Sequence, residues 1–339
     1  MNIVQERQRF VQATLVHVPK KITRLYQFGV RVFFFERITS QRANARRTPL
    51  KWCTAKTKVF RLVHNKAIVK TFVTLMCAVC VINKEDTIAV DFSDFGFGFQ
   101  VLLFAKQTCR GRAIPLYFEI LRYPVTAGSQ NLFVNATVKH FITIVGCTPT
   151  FVFDRGFACP SIIKSMLKNN VPFIIRIKKR KRFTKDGDGK LVAAEDHDEN
   201  DMLVEGYGGK LRLIASDDPS NGNDPWYLIT NDTGAAREDI IQRYYHRFEI
   251  EEFFRDAKRL LGLEWVRYER PETLATLLWF VCLGTWFAWE LAKKEDATRA
   301  KMRATFEVSI IRYYLESYEH EILRAAEAYW ELQGVPAGG

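Results

Sequence analysis

The sequence predicts a mixed α/β protein preceded by a helical, basic region. Short β-rich runs begin at Thr87 and, after residue 130, alternate with helical patterns. Apolar residues recur every three or four positions before residue 85 and again beyond residue 236, as helices require. With 47% hydrophobic and 26% charged residues over 339 positions, the chain can bury a sizeable core. Disordered, collagen-like and disulfide-scaffold proteins are excluded.

In order along the chain, Phe10, Val11, Leu15, Val18, Ile22 and Leu25 mark the N-terminal helices, and the Arg-rich stretch Ser40–Pro49 reads as a linker. Thr87–Asp91, Gln100–Lys106 and Arg112–Leu121 are three short strands separated by Gly96, Gly98 and Gly111, a pattern that suits a meander. A helix is expected over Asn131–Val145, a fourth strand over Thr148–Asp154, a helix opened by Pro160 to Asn169, and a fifth strand over Pro172–Ile177. Residues 178–233 are polar and rich in Gly and Asp, with strand-like runs at Lys210–Ile214 and Trp226–Thr230, and read as a β-rich insertion after the fifth strand. Asp186–Gly189 mimics part of a calcium loop without its remaining ligands, so a hairpin turn is the better reading. Long helical patterns follow over Ala236–Leu261, with Gly262 as C-cap, then Pro271–Lys293 and Thr305–Leu332.

Charge is distributed unevenly. Residues 1–90 hold 17 Lys+Arg against 4 Asp+Glu, whereas residues 91–339 hold 33 against 34. A front third this basic points to a polyanion, with nucleic acid ahead of an acidic membrane; a solvated basic surface is the plainer alternative. The densest run is Arg176–Lys185, which includes Lys179, Arg180, Lys181 and Arg182. Seven scattered cysteines read as reduced thiols of a cytoplasmic protein, and Cys77 and Cys80 lie in an apolar run that favours core packing over metal. Met1–Gln12 lacks the apolar block of a secretory signal. Thr273–Trp289 carries no charge, but Gly284 and the tryptophans dilute it. A buried helix of a soluble domain is expected there, and no membrane partner.

Three acids stand out by position. Asp91 and Asp154 end apolar strands, at the sheet edge where open α/β sheets place ligands, and Glu251 lies in a long helix. At about 100° per residue, Tyr244, Arg247, Glu251 and Lys258 fall at roughly 0°, −60°, −20° and −40°, a single arc, while Glu249 and Glu252 fall outside it. A solvated face is the ordinary explanation of such a stripe, but this one combines four chemically different polar residues. Asp94, three residues after Asp91, is the alternative first acid.

Tyr244, Arg247, Glu251 and Lys258 spell Y-x2-R-x3-E-x6-K, which resembles the signature of the DDE transposases of bacterial insertion sequences, in the cut-and-paste subgroup. Phe151–Phe157 (FVFDRGF) and the IAVDFSD block around Asp91 resemble the family as well, and the blocks keep the family's order across about Thr87–Tyr268. The resemblance implies a ribonuclease-H-like mixed sheet flanked by helices, with a β-rich insertion after the fifth strand and a helical N-terminal region. It also implies that Asp91, Asp154 and Glu251 hold two Mg²⁺ ions, with Mn²⁺ able to substitute; hard cations want carboxylate oxygens. By similarity Arg247 and Lys258 would grip phosphates near the cut and Tyr244 would contact the DNA backbone, while Arg155 would do the same or form a salt bridge. Trp226 resembles a tryptophan that stacks on a flipped base during hairpin formation; a buried strand tryptophan is the alternative.

The expected division is 1–85 for DNA binding, 86–177 with 234–295 for catalysis, 178–233 for the insertion, and 296–339 for a C-terminal helix serving dimerisation. The implied activity is Mg²⁺-dependent cleavage at the terminal inverted repeats and strand transfer into target DNA, by a homodimer on paired ends in a prokaryotic cytoplasm at the nucleoid. The alternatives are a ribonuclease-H-like nuclease without strand transfer, and an inactive or domesticated transposase acting as a DNA-binding protein. The N-terminal region lacks a clear DNA-binding motif and the C-terminal part is brief, where relatives are expected to carry more.

Overall fold

The computed structural model describes residues 3–29, 52–79, 81–185, 190–197, 199–217, 225–260, 263 and 269–294. The expected linker at Ser40–Pro49, the Asp186–Gly189 turn, the Gly262 cap and the helix at Thr305–Leu332 lie outside these residues. The chain divides into two compact units, residues 76–255 and residues 1–75 with 256–339.

The first unit is built on one ten-stranded mixed sheet flanked by helices, in the order β3-β2-β1-β4-β5-β10-β9-β8-β6-β7. Strands β1 (Thr87–Asp94), β2 (Phe99–Lys106) and β3 (Ile114–Arg122) form the antiparallel meander. Helix α5 (Ser129–Val145) then leads to β4 (Thr150–Phe153), and α6 (Pro160–Lys168) to β5 (Phe173–Ile177). Strand β4 lies parallel between β1 and β5. The apolar runs dictate this centre: β4 is buried at every position, as a strand covered on both faces must be. Two helix boundaries follow their punctuation. Pro160 occupies the first turn of α6, where its missing N–H costs nothing, and α5 stops at Gly146, whose φ of 73° is open to glycine.

The segment expected as an insertion supplies β6 (Arg182–Lys185), β7 (Leu191–Ala193), β8 (Asp201–Gly206), β9 (Gly209–Ser216) and β10 (Trp226–Thr230). These strands continue the central sheet, because β10 pairs antiparallel with β5, Tyr227 opposite Ile177.

The helical pattern from residue 236 proves to be several elements. Helix α7 (Arg237–Tyr245) passes into a 3₁₀ turn (His246–Phe248) and then α8 (Glu249–Arg255). A π-helical turn (Asp256–Leu260) follows in the second unit. A 3₁₀ residue turns about 120° rather than 100°, so the uniform arc computed for the signature residues does not apply.

The second unit gathers α1 (Ile3–Leu15), α2 (Thr23–Gly29), α3 (Trp52–Val63), most of α4 (Lys66–Val79) and α9 (Pro271–Lys294). Its core is aromatic. Phe72 stacks on Trp279 at 5.6 Å and meets Phe280 edge-on at 4.9 Å, while Phe10 packs on Trp286 and Phe287. Tyr26 donates to Thr14 Oγ1 at 3.0 Å, and burial pushes its hydroxyl up to about 12. The uncharged stretch of α9, residues 273–289, is therefore spent largely on packing, and no described helix is long and apolar enough to cross a membrane.

Candidate active site

Sheet register brings the two aspartates to one edge. Val90 of β1 lies opposite Phe153 of β4, and each aspartate is the next residue in its own strand direction. Adjacent strands run ~4.8 Å apart, so Asp91 and Asp154 leave the parallel part of the sheet side by side. Their context differs. Asp154 follows the end of β4 and caps the 3₁₀ turn Arg155–Phe157, its Oδ1 accepting from Gly156 N at 2.8 Å. Asp91 does not end its strand as the sequence suggested. β1 runs on to Asp94, because its pairing with β2 outlasts its pairing with β4.

A Cβ at Gly156 would meet Asp154 Oδ1 at 3.0 Å, so a larger residue there would press on that carboxylate. Asp94 is engaged differently from Asp91. It lies at the exposed end of β1, where its Oδ1 accepts from Gly96 N at 2.6 Å and closes the turn to β2.

Arg247 joins the third acid to the first. Its Nη1 donates to Asp91 Oδ2 at 3.2 Å and its Nη2 to Glu251 Oε1 at 2.6 Å. The guanidinium is buried, with its carbon 4.6 Å from the centre of the Phe248 ring, and the 3₁₀ turn carries it to this position. Glu251 is half-exposed, whereas Asp91 is only 16% exposed. Asp91 is raised to about 7, first by desolvation and further by the neighbouring Asp154 and Glu251 carboxylates, against the pull of Arg247 and the Phe92 N–H. Burial has thus left Asp91 short of positive charge despite its ion pair.

These oxygens suit a hard divalent cation in chemistry and charge. In the arrangement described, Arg247 stands between Asp91 and Glu251, and among the described residues no three His, Cys, Asp or Glu side chains are gathered closely enough to hold a metal ion.

Several expected DNA contacts have other surroundings. Trp226 is fully buried among Val152, Ile174, Ile214, Leu228, Ile240, Ile241 and Tyr244, so it is a core residue with no face open to a flipped base. Tyr244 packs edge-on against it at 4.8 Å and is also buried, which removes its ring from the DNA backbone. Desolvation raises its hydroxyl against the pull of Arg247 and Arg176. Arg247, expected to grip phosphate, spends its guanidinium on two carboxylates. Lys258 lies in the π-helical turn of the other unit and is partly buried.

Arg155 is exposed beside Asp154 and makes no ion pair among the described residues, contrary to the salt-bridge alternative. In the basic run, Lys179 and Arg180 approach Glu195 at 3.3 and 3.9 Å, Lys181 lies over the Tyr207 ring, and Arg182 is exposed at the start of β6.

The sequence reading left Glu249 without a role, yet it is among the few buried acids. Its Oε2 accepts from Thr108 N at 2.8 Å and its Oε1 from Gly111 N at 3.0 Å, tying α8 to the β2–β3 loop. The one sequence signal was its place off the polar arc in an otherwise acidic helix.

A large mixed sheet flanked by helices, with Asp91 and Asp154 carried by adjacent parallel strands and their continuation and Glu251 on a following helix, places the chain in the ribonuclease-H-like class of folds. Within that class the chain carries a DDE transposase domain: residues 120–287 match the family described as "Transposase DDE domain", a span that includes Asp154 and Glu251 and begins after Asp91. No curated protein matches the sequence. Among solved structures, the chain is similar to a piggyBac transposase synaptic complex with hairpin DNA, at 11% identity and a TM-score of 0.49, over 88% of this chain and 72% of that one. It is also similar to Aa-Ago with externally bound siRNA, at 10% identity and a TM-score of 0.25, over 56% of this chain and 30% of the other.

Proposed function

We propose that the protein is a transposase that cleaves DNA at the terminal inverted repeats of its own element and joins the 3′ ends to target DNA. The observation that carries this reading is the register of Asp91 with Asp154, together with the Arg247 bridge that brings Glu251 to the same edge. Asp91, Asp154 and Glu251 would hold two Mg²⁺ ions, with Mn²⁺ able to substitute. Bound there, the ions would activate the attacking oxygen and stabilise the leaving one in an in-line displacement.

The chain's own residues have defined tasks. The Gly156 N–H fixes the Asp154 carboxylate, and the Phe92 N–H fixes that of Asp91. Arg247 holds Asp91 and Glu251 against their mutual repulsion, which a buried guanidinium does well because it bonds two acids from one rigid fork. Arg155, exposed beside Asp154, is available to a phosphate next to the cut. Arg182 and the half-exposed Lys179 offer a further backbone track, and the basic residues 1–85 would supply much of the affinity for the ends. A homodimer would hold the two ends together.

The test uses linear DNA bearing the terminal repeats. Wild-type protein should cut at the repeat ends with Mg²⁺ and join the 3′ ends to a second DNA, while Glu251→Gln should reduce cutting to background and leave DNA binding within about twofold. Cutting without joined product would favour the nuclease alternative, and full cutting by Glu251→Gln would refute the assignment of the acids.

A further inference from the structure

We infer that Glu249 is a positioning residue for the acid pair, acting through a clasp between the β2–β3 loop and the helix that carries Glu251; the inference rests on the reading of Glu251 as a catalytic acid. The loop spans residues 107–113. Besides the two N–H bonds to the Glu249 carboxylate, Ala113 N donates to Glu249 O at 3.3 Å. Gln107 Nε2 donates to Arg243 O at 2.8 Å, satisfying a carbonyl in the last turn of α7, and Arg112 pairs with Glu252 at 3.0 Å. The loop is itself shaped for this task. Cys109 and Gly111 have φ of 57° and 80°, and Thr108 Oγ1 donates to Arg112 O at 2.6 Å, which turns the Thr108 and Gly111 N–H groups toward one point.

The clasp matters to chemistry because of where its other end is fastened. Gln107 N donates to Thr87 O at 3.0 Å, so the loop is tied to the first residue of β1, and Asp91 is four residues further along that strand, ~13 Å away at about 3.3 Å per residue. The 3₁₀ turn and α8 are thus held against the strand that carries Asp91, two residues from Arg247 on one side and two from Glu251 on the other. A buried carboxylate with two N–H partners is a strong and directional tether. Glutamine replaces it poorly: the two N–H groups bond to different carboxylate oxygens, and where glutamine keeps one oxygen its NH₂ group confronts the other N–H, which loses its acceptor. Release of the clasp lets α8 slide along β1 and spoils the distance between Glu251 and Asp91 without touching either.

The full-length chain with Glu249→Gln, Gln107→Ala and Glu251→Gln tests this. Four quantities are read: melting temperature, binding of end DNA, cleavage as a function of Mn²⁺, and Mn²⁺ affinity without DNA from water-proton relaxation. Glu249→Gln should weaken Mn²⁺ binding and lower kcat by about 10–100-fold, as loss of an outer-shell partner does, with KM for DNA unchanged within about twofold. Excess Mn²⁺ should restore much of the rate. Gln107→Ala should move the same quantities less far, and it carries the test if Glu249→Gln does not fold. A folded variant that melts lower but keeps wild-type Mn²⁺ affinity and kcat would overturn the inference, since a merely structural tether has that signature. Full cleavage by Glu251→Gln would instead remove the reading on which the inference rests.

Discussion

Replacing Asp91 with Asn should make the metal-free protein more stable. The carboxyl is raised from 3.8 to about 7, so the folded state holds its proton where the unfolded state has released it. Between about pH 4 and pH 7 the unfolded chain binds fewer protons at this site, and stability therefore falls as pH rises; the cost is absent below that window and complete above it. Three units at 1.36 kcal/mol each give about 4 kcal/mol above pH 7. Asn escapes that cost but accepts poorly at its NH₂ end, so one of the two donors now served, Phe92 N or Arg247 Nη1, loses its partner. Subtracting roughly 1–2 kcal/mol for that loss leaves a gain of about 2–3 kcal/mol. For a unit of this size the gain corresponds to a rise in Tm of roughly 4–12 °C. The assay is thermal melting in EDTA, by circular dichroism, of both proteins at pH 8 and pH 5. The gap should shrink by more than half at the lower pH. An Asn variant that melts below wild type at pH 8 would show that the Arg247 pair outweighs desolvation, and a gap insensitive to pH would show that Asp91 is not the titrating group.

The buried setting of Trp226 predicts that Trp226→Ala destabilises the protein by about 3–5 kcal/mol, read from denaturant melts, with Trp226→Phe costing far less and cutting normally. A Trp226→Ala protein of wild-type stability with a defect confined to hairpin formation would contradict the burial. Lys20 and Lys21 are exposed in the basic region, so changing both to Gln should weaken binding to any DNA sequence and lower the salt slope by about one per lost phosphate contact. An unchanged slope in a salt titration would remove that face from the DNA footprint.

The central sheet was legible because its strands are marked twice, by apolar β-rich runs and by the glycines and prolines between them. Pro160 at the start of α6 and Gly146 at the end of α5 do locally what their covalent structure permits, so no distant partner was needed to predict them. Pairing was less legible. Nothing local in Trp226–Thr230 says that this strand adds to β5; the choice is made by Ile174, Ile214 and Leu228 packing with Trp226 in one core. For the same reason a stretch whose composition reads as an insertion continues the sheet.

At the site, the sequence supplied the acids but not the state of the groups around them. The family resemblance implied a phosphate ligand at Arg247, a role that suits an arginine on a solvated helix face. The 3₁₀ turn that buries it depends on contacts remote in sequence: the ion pair to Asp91 spans 156 residues and the Gly111 bond to Glu249 spans 138. Helical-wheel arithmetic cannot include either, because it assumes the uniform helix that these contacts break. Their combined effect on Arg247 is electrostatic. A surface arginine would add to the attraction for DNA, whereas a buried one offsets carboxylate charge and holds two acids near each other. Under the proposed function, positive charge for a DNA backbone would come instead from residues such as Arg155, exposed beside Asp154 and making no ion pair among the described residues.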